Sequence, residues 1–162
     1  MKRTVSLTLV LALVCALLSG CGAVGDKQIT VEDLTLTIPG YYQDMSTMEG
    51  TSDMTFAYGF LDALVCGIRE EFSLFGDYKP DSLADYAQLV IEVNGLDCQT
   101  EDYNGILTFR YTTDNGDGAH SYLAAVFESS NAYCLVQFGC SAENFEGNLE
   151  KFQKILTSIQ VV

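Results

Sequence analysis

Leu34-Thr35-Leu36-Thr37-Ile38-Pro39-Gly40-Tyr41 is the stretch from which the architecture follows. Leu34, Leu36 and Ile38 alternate with Thr35 and Thr37, the period of two of a strand with one buried and one wetter face. Pro39-Gly40 stops it. Upstream, Ile29 and Val31 alternate in the same way and Glu32-Asp33 fits a turn, so residues 29–38 predict a half-buried hairpin. A sheet with one dry face needs another layer to cover it, and the rest of the chain supplies strands and helices for that purpose.

Downstream, residues 43–53 are polar and aperiodic and predict a surface loop. Residues 54–60 and 63–70 predict two strands joined tightly at Leu61-Asp62. The run 72–78 carries four large side chains without a clear period and reads as a loop folded under the core. Pro80-Asp81-Ser82 then opens a helix with Leu83, Tyr86, Ala87, Val90 and Val93 at helical spacing, closed by Asn94-Gly95. Residues 96–102 and 106–113 form a hairpin around Asn104-Gly105, a strong turn pair, and Asp114 to Gly118 turns the chain again. Residues 119–128 and 132–139 make a further hairpin around Ser129-Ser130-Asn131. Its last strand puts Tyr133, Leu135 and Gln137 on one face and Cys134, Val136 and Phe138 on the other. Ser141 is placed to cap a closing helix whose Phe145, Leu149, Phe152, Ile155, Leu156 and Ile159 form one apolar stripe. No internal repeat is visible.

The first residues follow a different logic. Lys2 and Arg3 precede an apolar run from Val5 to Leu18 that is too short for a stable membrane span, the layout of a secretory signal. Leu17-Leu18-Ser19-Gly20-Cys21 resembles the lipobox of bacterial lipoproteins, in which the cysteine is acylated and the chain is cut before it. This resemblance implies a signal peptide over residues 1–20, a lipid on Cys21, a tether over 21–28 and a single domain over 29–162. It also implies a place on the outer face of the bacterial cytoplasmic membrane or in the cell envelope. Lys2 and Arg3 lie before the cut and every acidic residue after it, so 6 cations then face 22 acids, a net charge of −16. Such an acidic chain repels nucleic acid and anionic lipid headgroups, and no basic stripe offsets the repulsion. Cys66, Cys98, Cys134 and Cys140 remain for disulfides or for buried thiols. A strand over residues 132–139 would hold Cys134 and Cys140 about 20 Å apart, which argues against a bridge between them.

The order of elements, with Leu36-Thr37-Ile38-Pro39-Gly40-Tyr41 near the start and Ile155-Leu156-Thr157-Ser158-Ile159 at the end, resembles the PsbP-like family and its Mog-type relatives. The likeness covers roughly residues 29–160, with Tyr41 where the family favours tryptophan. It implies an α+β fold, an antiparallel β-sheet flanked by helices in an α/β/α sandwich. Fold alone does not carry function.

Chemistry-bearing residues are sparse. His120 is the only histidine, and a hairpin centred on Ser130 sets it opposite Cys140, where the two could form a small enzyme's thiolate pair or a metal site. The segment Asp114-Asn115-Gly116-Asp117-Gly118 has calcium-loop composition but lacks the ligand alternation and the distant glutamate, so a turn explains it. No serine lies in a nucleophile motif, and no phosphate loop or dinucleotide fingerprint occurs. Adjacent Glu70 and Glu71 point to opposite faces of a strand. No cofactor and no catalytic residue is therefore expected. Tyr41, Tyr42, Phe72, Phe75 and Tyr78 are the candidates for a recognition surface, aromatics being favoured at interfaces. The expectation is a lipid-anchored, non-enzymatic binding or accessory domain whose partners are the membrane, through Cys21, and an envelope protein or small ligand.

Overall fold

The strand Ala132–Ser141 is buried along nearly its whole length on both faces, so a layer must cover each side of it. The computed structural model describes residues 25–162 except 49, 52, 115 and 117. The signal segment and Cys21 lie outside the described residues. The strands are β1 Asp26–Val31, β2 Leu34–Pro39, β3 Gln43–Asp44, β4 Phe56–Phe60, β5 Ala63–Glu71, β6 Thr100–Tyr103, β7 Ile106–Asp114, β8 Ala119–Glu128, β9 Ala132–Ser141 and β10 Gln160–Val161. The helices are α1 Phe72–Phe75, α2 Leu83–Val93 and α3 Phe145–Leu156. Seven strands form one antiparallel sheet in the order β3-β4-β5-β9-β8-β7-β6, and β1-β2-β10 form a second sheet. The fold is α+β, with antiparallel sheets and helices on both faces of the larger one.

Alternation along β9 sorts the core into two layers. Cys134, Val136 and Phe138 face α3 and β2, where Leu34, Leu36, Ile38, Phe145, Phe152, Ile155 and Leu156 meet them. Tyr133 and Leu135 face α2 and pack with Tyr86, Ala87, Val90 and Ile91. The stripe read from the closing helix is the face that packs, with Leu149 and Ile159 half-buried at its margin. On α2, Val93 is 75% exposed and Ile91 is buried in its place. Val93 is the last residue of the helix and lies beyond the arc that the sheet covers.

Caps follow local chemistry. The Asp85 amide donates to Ser82 Oγ at 3.1 Å while Ser82 Oγ donates to the Asp85 carboxylate at 2.6 Å, a reciprocal cap on α2. Ser141 does not cap α3. A 3-10 turn over Ala142–Asn144 intervenes, and Ser141 Oγ donates to Asp62 instead, at 2.7 Å.

Other corrections come from pairing. β1 begins at Asp26, because Asp26–Gln28 pair with Thr37–Pro39, so these three residues belong to the strand and not to the tether. Within the expected surface loop, Gln43 and Asp44 pair with Gly59 and Tyr58, and Thr51 is buried, its hydroxyl donating to the Met45 carbonyl at 2.6 Å. The strand expected over 96–102 is confined to β6, Thr100–Tyr103. The run after β5 forms α1 and a 3-10 turn over Gly76–Tyr78 in place of a buried loop. Phe72 and Phe75 lean on the α2-side core, while Leu74 and Tyr78 are 73% and 89% exposed.

A polar clamp joins two turns to strand β5 at one end of the sheet. Arg69 Nε donates to Asp33 Oδ2 at 2.9 Å and Arg69 Nη2 to Asn131 Oδ1 at 2.9 Å, while Ser129 Oγ donates to Asp33 Oδ2 at 2.7 Å. The Ser129 hydroxyl, and then Arg69, hold the Asp33 carboxyl below its ordinary value of 3.8.

Two tests follow from this packing. Phe152 is wholly buried, so Phe152→Ala should cost about 3–5 kcal/mol and lower the thermal midpoint by about 6 °C or more. A midpoint within a degree of wild type would refute the packing of α3. The folded value of Asp33 lies below its unfolded one, so its stabilisation is complete above the unfolded value and is lost as pH falls through the folded value. Thermal melts at pH 7 and pH 3 should therefore differ less for Asp33→Asn than for wild type. An unchanged difference removes Asp33 as a contributor.

Candidate functional site

Helix α2 lies over β8, β7 and β6. On the same face β5 and the adjoining part of β9 are left open past the end of the helix. A groove of about 280 Å³ results, with Leu64 and Cys66 of β5, Gln137 of β9, and Tyr111 and Tyr122 of β7 and β8 along it, and Val90, Asn94 and Met54 at its sides. A smaller groove of about 190 Å³ runs on between Ile68, Glu70 and Leu135 of the sheet and Tyr86, Leu89 and Val93 of the helix, and shares Val90 and Asn94 with the first.

Pairing register builds the larger groove. Tyr111 opposes Tyr122 across β7 and β8, and their rings stack at 4.8 Å with planes 12° apart. Tyr122 opposes Gly139, and a Cβ there would lie 2.5 Å from the Tyr122 ring. Glycine at 139 is thus what lets the ring lie flat on the sheet. Gln137 Nε2 donates to the Tyr111 hydroxyl at 2.8 Å, and the Cys66 thiol points at Gln137 Oε1 across 3.9 Å.

Burial pushes the Cys66 thiol up to about 12, and burial followed by the neighbouring Tyr122 raises the Tyr111 phenol. Both groups are protonated at neutral pH. A thiol without thiolate character is a weak nucleophile, so the groove offers stacking faces, an apolar strip and an amide rather than reactive groups. Alongside, the Tyr86 hydroxyl donates to Glu70 Oε2 at 2.6 Å.

The pairing proposed between His120 and Cys140 is overturned. His120 opposes Ser141, and Cys140 opposes Ser121. Since neighbouring residues in a strand point to opposite faces, the histidine and the thiol are on different sides of the sheet. The physical reason is the turn: the Ser129 amide donates to the Ala132 carbonyl at 2.9 Å, leaving only Ser130 and Asn131 in the bend. A three-residue bend shifts the register by one. Cys140 is instead buried on the α3 side, with Asn148 Nδ2 directed at its sulfur across 3.7 Å. His120 Nδ1 lies 3.1 Å from the Gly118 carbonyl. Among the described residues, no group of three or more His, Cys, Asp and Glu is arranged to hold a metal ion. The Asp114 carboxylate accepts from the Gly116 amide at 2.9 Å, a local turn bond, while Asn115 and Asp117 lie outside the described residues.

The five aromatic candidates do not form one surface. Tyr42 is 2% exposed and belongs to the α3-side core, so it is removed from the recognition set. Tyr41 is 36% exposed and meets Phe60 edge-on at 4.8 Å. Phe72 and Phe75 pack edge-on against Tyr133 at 4.9 and 6.0 Å on the other face of the sheet. Tyr78 projects into solvent. Leu64, Cys66, Tyr111, Tyr122 and Gln137 were missed in sequence because they come from four strands at no fixed spacing. Gln137, a polar residue amid the apolar run of β9, was the one local sign.

No protein-family profile matches the chain, and a comparison with curated proteins finds no match. Solved structures do match. The architecture, a large antiparallel sheet with helices on both faces, is that of an α/β/α sandwich. It is shared with the solution structure of cyanobacterial PsbP (CyanoP) from Synechocystis sp. PCC 6803, with a TM-score of 0.57 at 14% identity, over 89% of this chain and 96% of that one. A protein from Bacteroides thetaiotaomicron VPI-5482 matches with a TM-score of 0.53 at 8% identity, over 87% of this chain and 49% of that one. The fold is PsbP-like.

All four cysteines of the described residues are unpaired. Burial raises Cys134 to about 11, whereas Cys98, raised by burial and then by Asp97, is only half-buried. Alkylation of the native protein at pH 8 should therefore label Cys98 first and leave Cys66, Cys134 and Cys140 unlabelled until denaturant is added, as read by peptide mass spectrometry. Labelling of Cys66 as fast as Cys98 would show a groove thiol that is neither protected nor held protonated.

Proposed function

We propose that the chain is a lipid-anchored, non-enzymatic binding domain on the outer face of a bacterial cytoplasmic membrane, and that the groove beside α2 is its binding surface. The observation that carries the binding role is the open face itself. Stacked Tyr111 and Tyr122, an amide at Gln137 and a protonated thiol at Cys66 line a cleft that one helix leaves uncovered. Pockets of this make-up, apolar with a few placed polar groups, bind ligands or partner side chains. The anchor rests on the lipobox-like Leu17-Leu18-Ser19-Gly20-Cys21. Among the described residues no helix is long and apolar enough to cross a membrane. The acidic surface suits an exposed domain, since like charge keeps copies apart.

Two measurements address the two halves of the proposal. Cys21→Ala should leave the precursor uncut or release the domain into the soluble fraction, and unchanged membrane fractionation would refute the anchor. A photoreactive residue at Val93, on the rim of the smaller groove that adjoins the larger one, should give a discrete adduct in the native envelope, whereas one at Glu150 on α3 should not. Equal labelling from both positions would remove the groove as the binding surface.

A further inference from the structure

The chain starts its fold at one end of the sheets, and that end has its own surface. Asp26, the first residue of β1, pairs with Pro39, and Tyr41 follows two residues later. Tyr41 meets Phe60, and Leu61 makes the turn from β4 to β5. Phe60 and Leu61 are 41% and 87% exposed. Beside them Asp26, Tyr41, Lys151 and Lys154 border a depression of about 180 Å³, with Lys154 Nζ bonded to Asp26 at 2.8 Å. Lys27 lies at the same place, donating to the Tyr42 carbonyl at 2.7 Å. Three of the six cations that follow Cys21 are therefore gathered around the start of β1, in a chain with 22 acids.

We propose that this end rests on the bilayer that carries the anchor, through an interfacial foot of Tyr41, Phe60 and Leu61 bordered by Lys151 and Lys154. The inference rests on the lipid anchor at Cys21 proposed above. Cys21 is five residues ahead of Asp26, and five extended residues span no more than about 18 Å. A lipid on Cys21 thus holds the Asp26 end close to the headgroups. Aromatic side chains favour that boundary, and lysines lay their stems along apolar surface while the ammonium meets phosphate. Asp62, next to Leu61, is tied to Ser141 and Asn144, and Asp114, the last residue of β7, is three strands from β5 and four from β4. The foot therefore lies on the α3 side of this end, with the acidic turn set away from it. The nine residues of β5 carry the chain about 30 Å to α1, so Leu74 and Tyr78 point away from the membrane.

The sequence has no tryptophan, so a single introduced indole reports its own surroundings. The full chain, carrying Leu61→Trp or, as a second reporter, Phe60→Trp, is produced in a lipoprotein-processing bacterium. It is purified with its lipid verified by mass, and reconstituted in vesicles of phosphatidylglycerol and phosphatidylcholine with brominated chains. Both reporters should shift to the blue and be quenched at least about threefold more than Leu74→Trp, as expected of a side chain at the headgroup boundary. Lys151→Glu with Lys154→Glu should reduce that quenching without releasing the protein. Acylated protein whose three reporters are quenched equally weakly would overturn the foot and leave the anchor standing. A mass without lipid would overturn the anchor and this orientation with it.

Discussion

One strand buried on both faces constrains everything else in the molecule. β9 has no solvated side, so each of its side chains must find a packed layer, and alternation divides those layers between α3 with β2 and α2 with Tyr86. Burying a large apolar side chain is worth on the order of 1.5–3 kcal/mol. Phe138 with Phe152 on one side, and Tyr133 stacked on Tyr86 at 4.5 Å on the other, bind the sheet to its covers. The edges are handled differently. β3 is two residues long and β6 four, so little backbone is left for pairing with another chain.

The turns decide register, and register decides chemistry. The bend after β8 holds two residues, and that alone places Gln137 with Ala124, Gly139 with Tyr122 and Cys140 with Ser121. One more residue would turn the Tyr122–Gly139 contact and the His120 position to other partners. Arg69 secures this geometry from the side. It bonds Asp33 on the β1–β2 turn and Asn131 on the β8–β9 turn, and sits within β5 between them. Side chains of Arg69 and Asp33 are only 14% and 25% exposed, so water screens the pair less than it would a surface pair.

Periodicity made the fold largely legible in the sequence. The alternation over Leu34 to Ile38, the Asn104-Gly105 turn and the Phe145 to Ile159 stripe each reflect a local steric or solvation rule, and local rules survive without knowledge of the partner. β1 reaches back to Asp26, and β3 occurs within a polar stretch, because both are held by backbone pairing to a neighbour. Tyr42 leaves the set of recognition candidates for a related reason. Two adjacent tyrosines after Pro39-Gly40 look alike in sequence, yet the chain direction sends Tyr42 under α3 and leaves Tyr41 on the outside. The groove was the least legible feature, since it exists only where α2 stops short of β5.

The two faces of the sheet are thus finished to different degrees. On the α3 side, Leu149 and Ile159 complete a stripe that β2 and β10 extend, and the layer is sealed. On the α2 side an eleven-residue helix lies over β6, β7 and β8 and meets β9 at Tyr133 and Leu135, and the remaining surface is made compatible with water by specific devices. The Tyr122 ring covers Gly139, Gln137 satisfies the Tyr111 phenol, and Glu70 accepts from Tyr86. The first covers bare backbone with a ring, and the other two pair polar atoms on a face without a second helix. The Tyr111 and Tyr122 ring planes and the Gln137 amide are thus presented on a face that one helix leaves open, with the Cys66 thiol held protonated beside them.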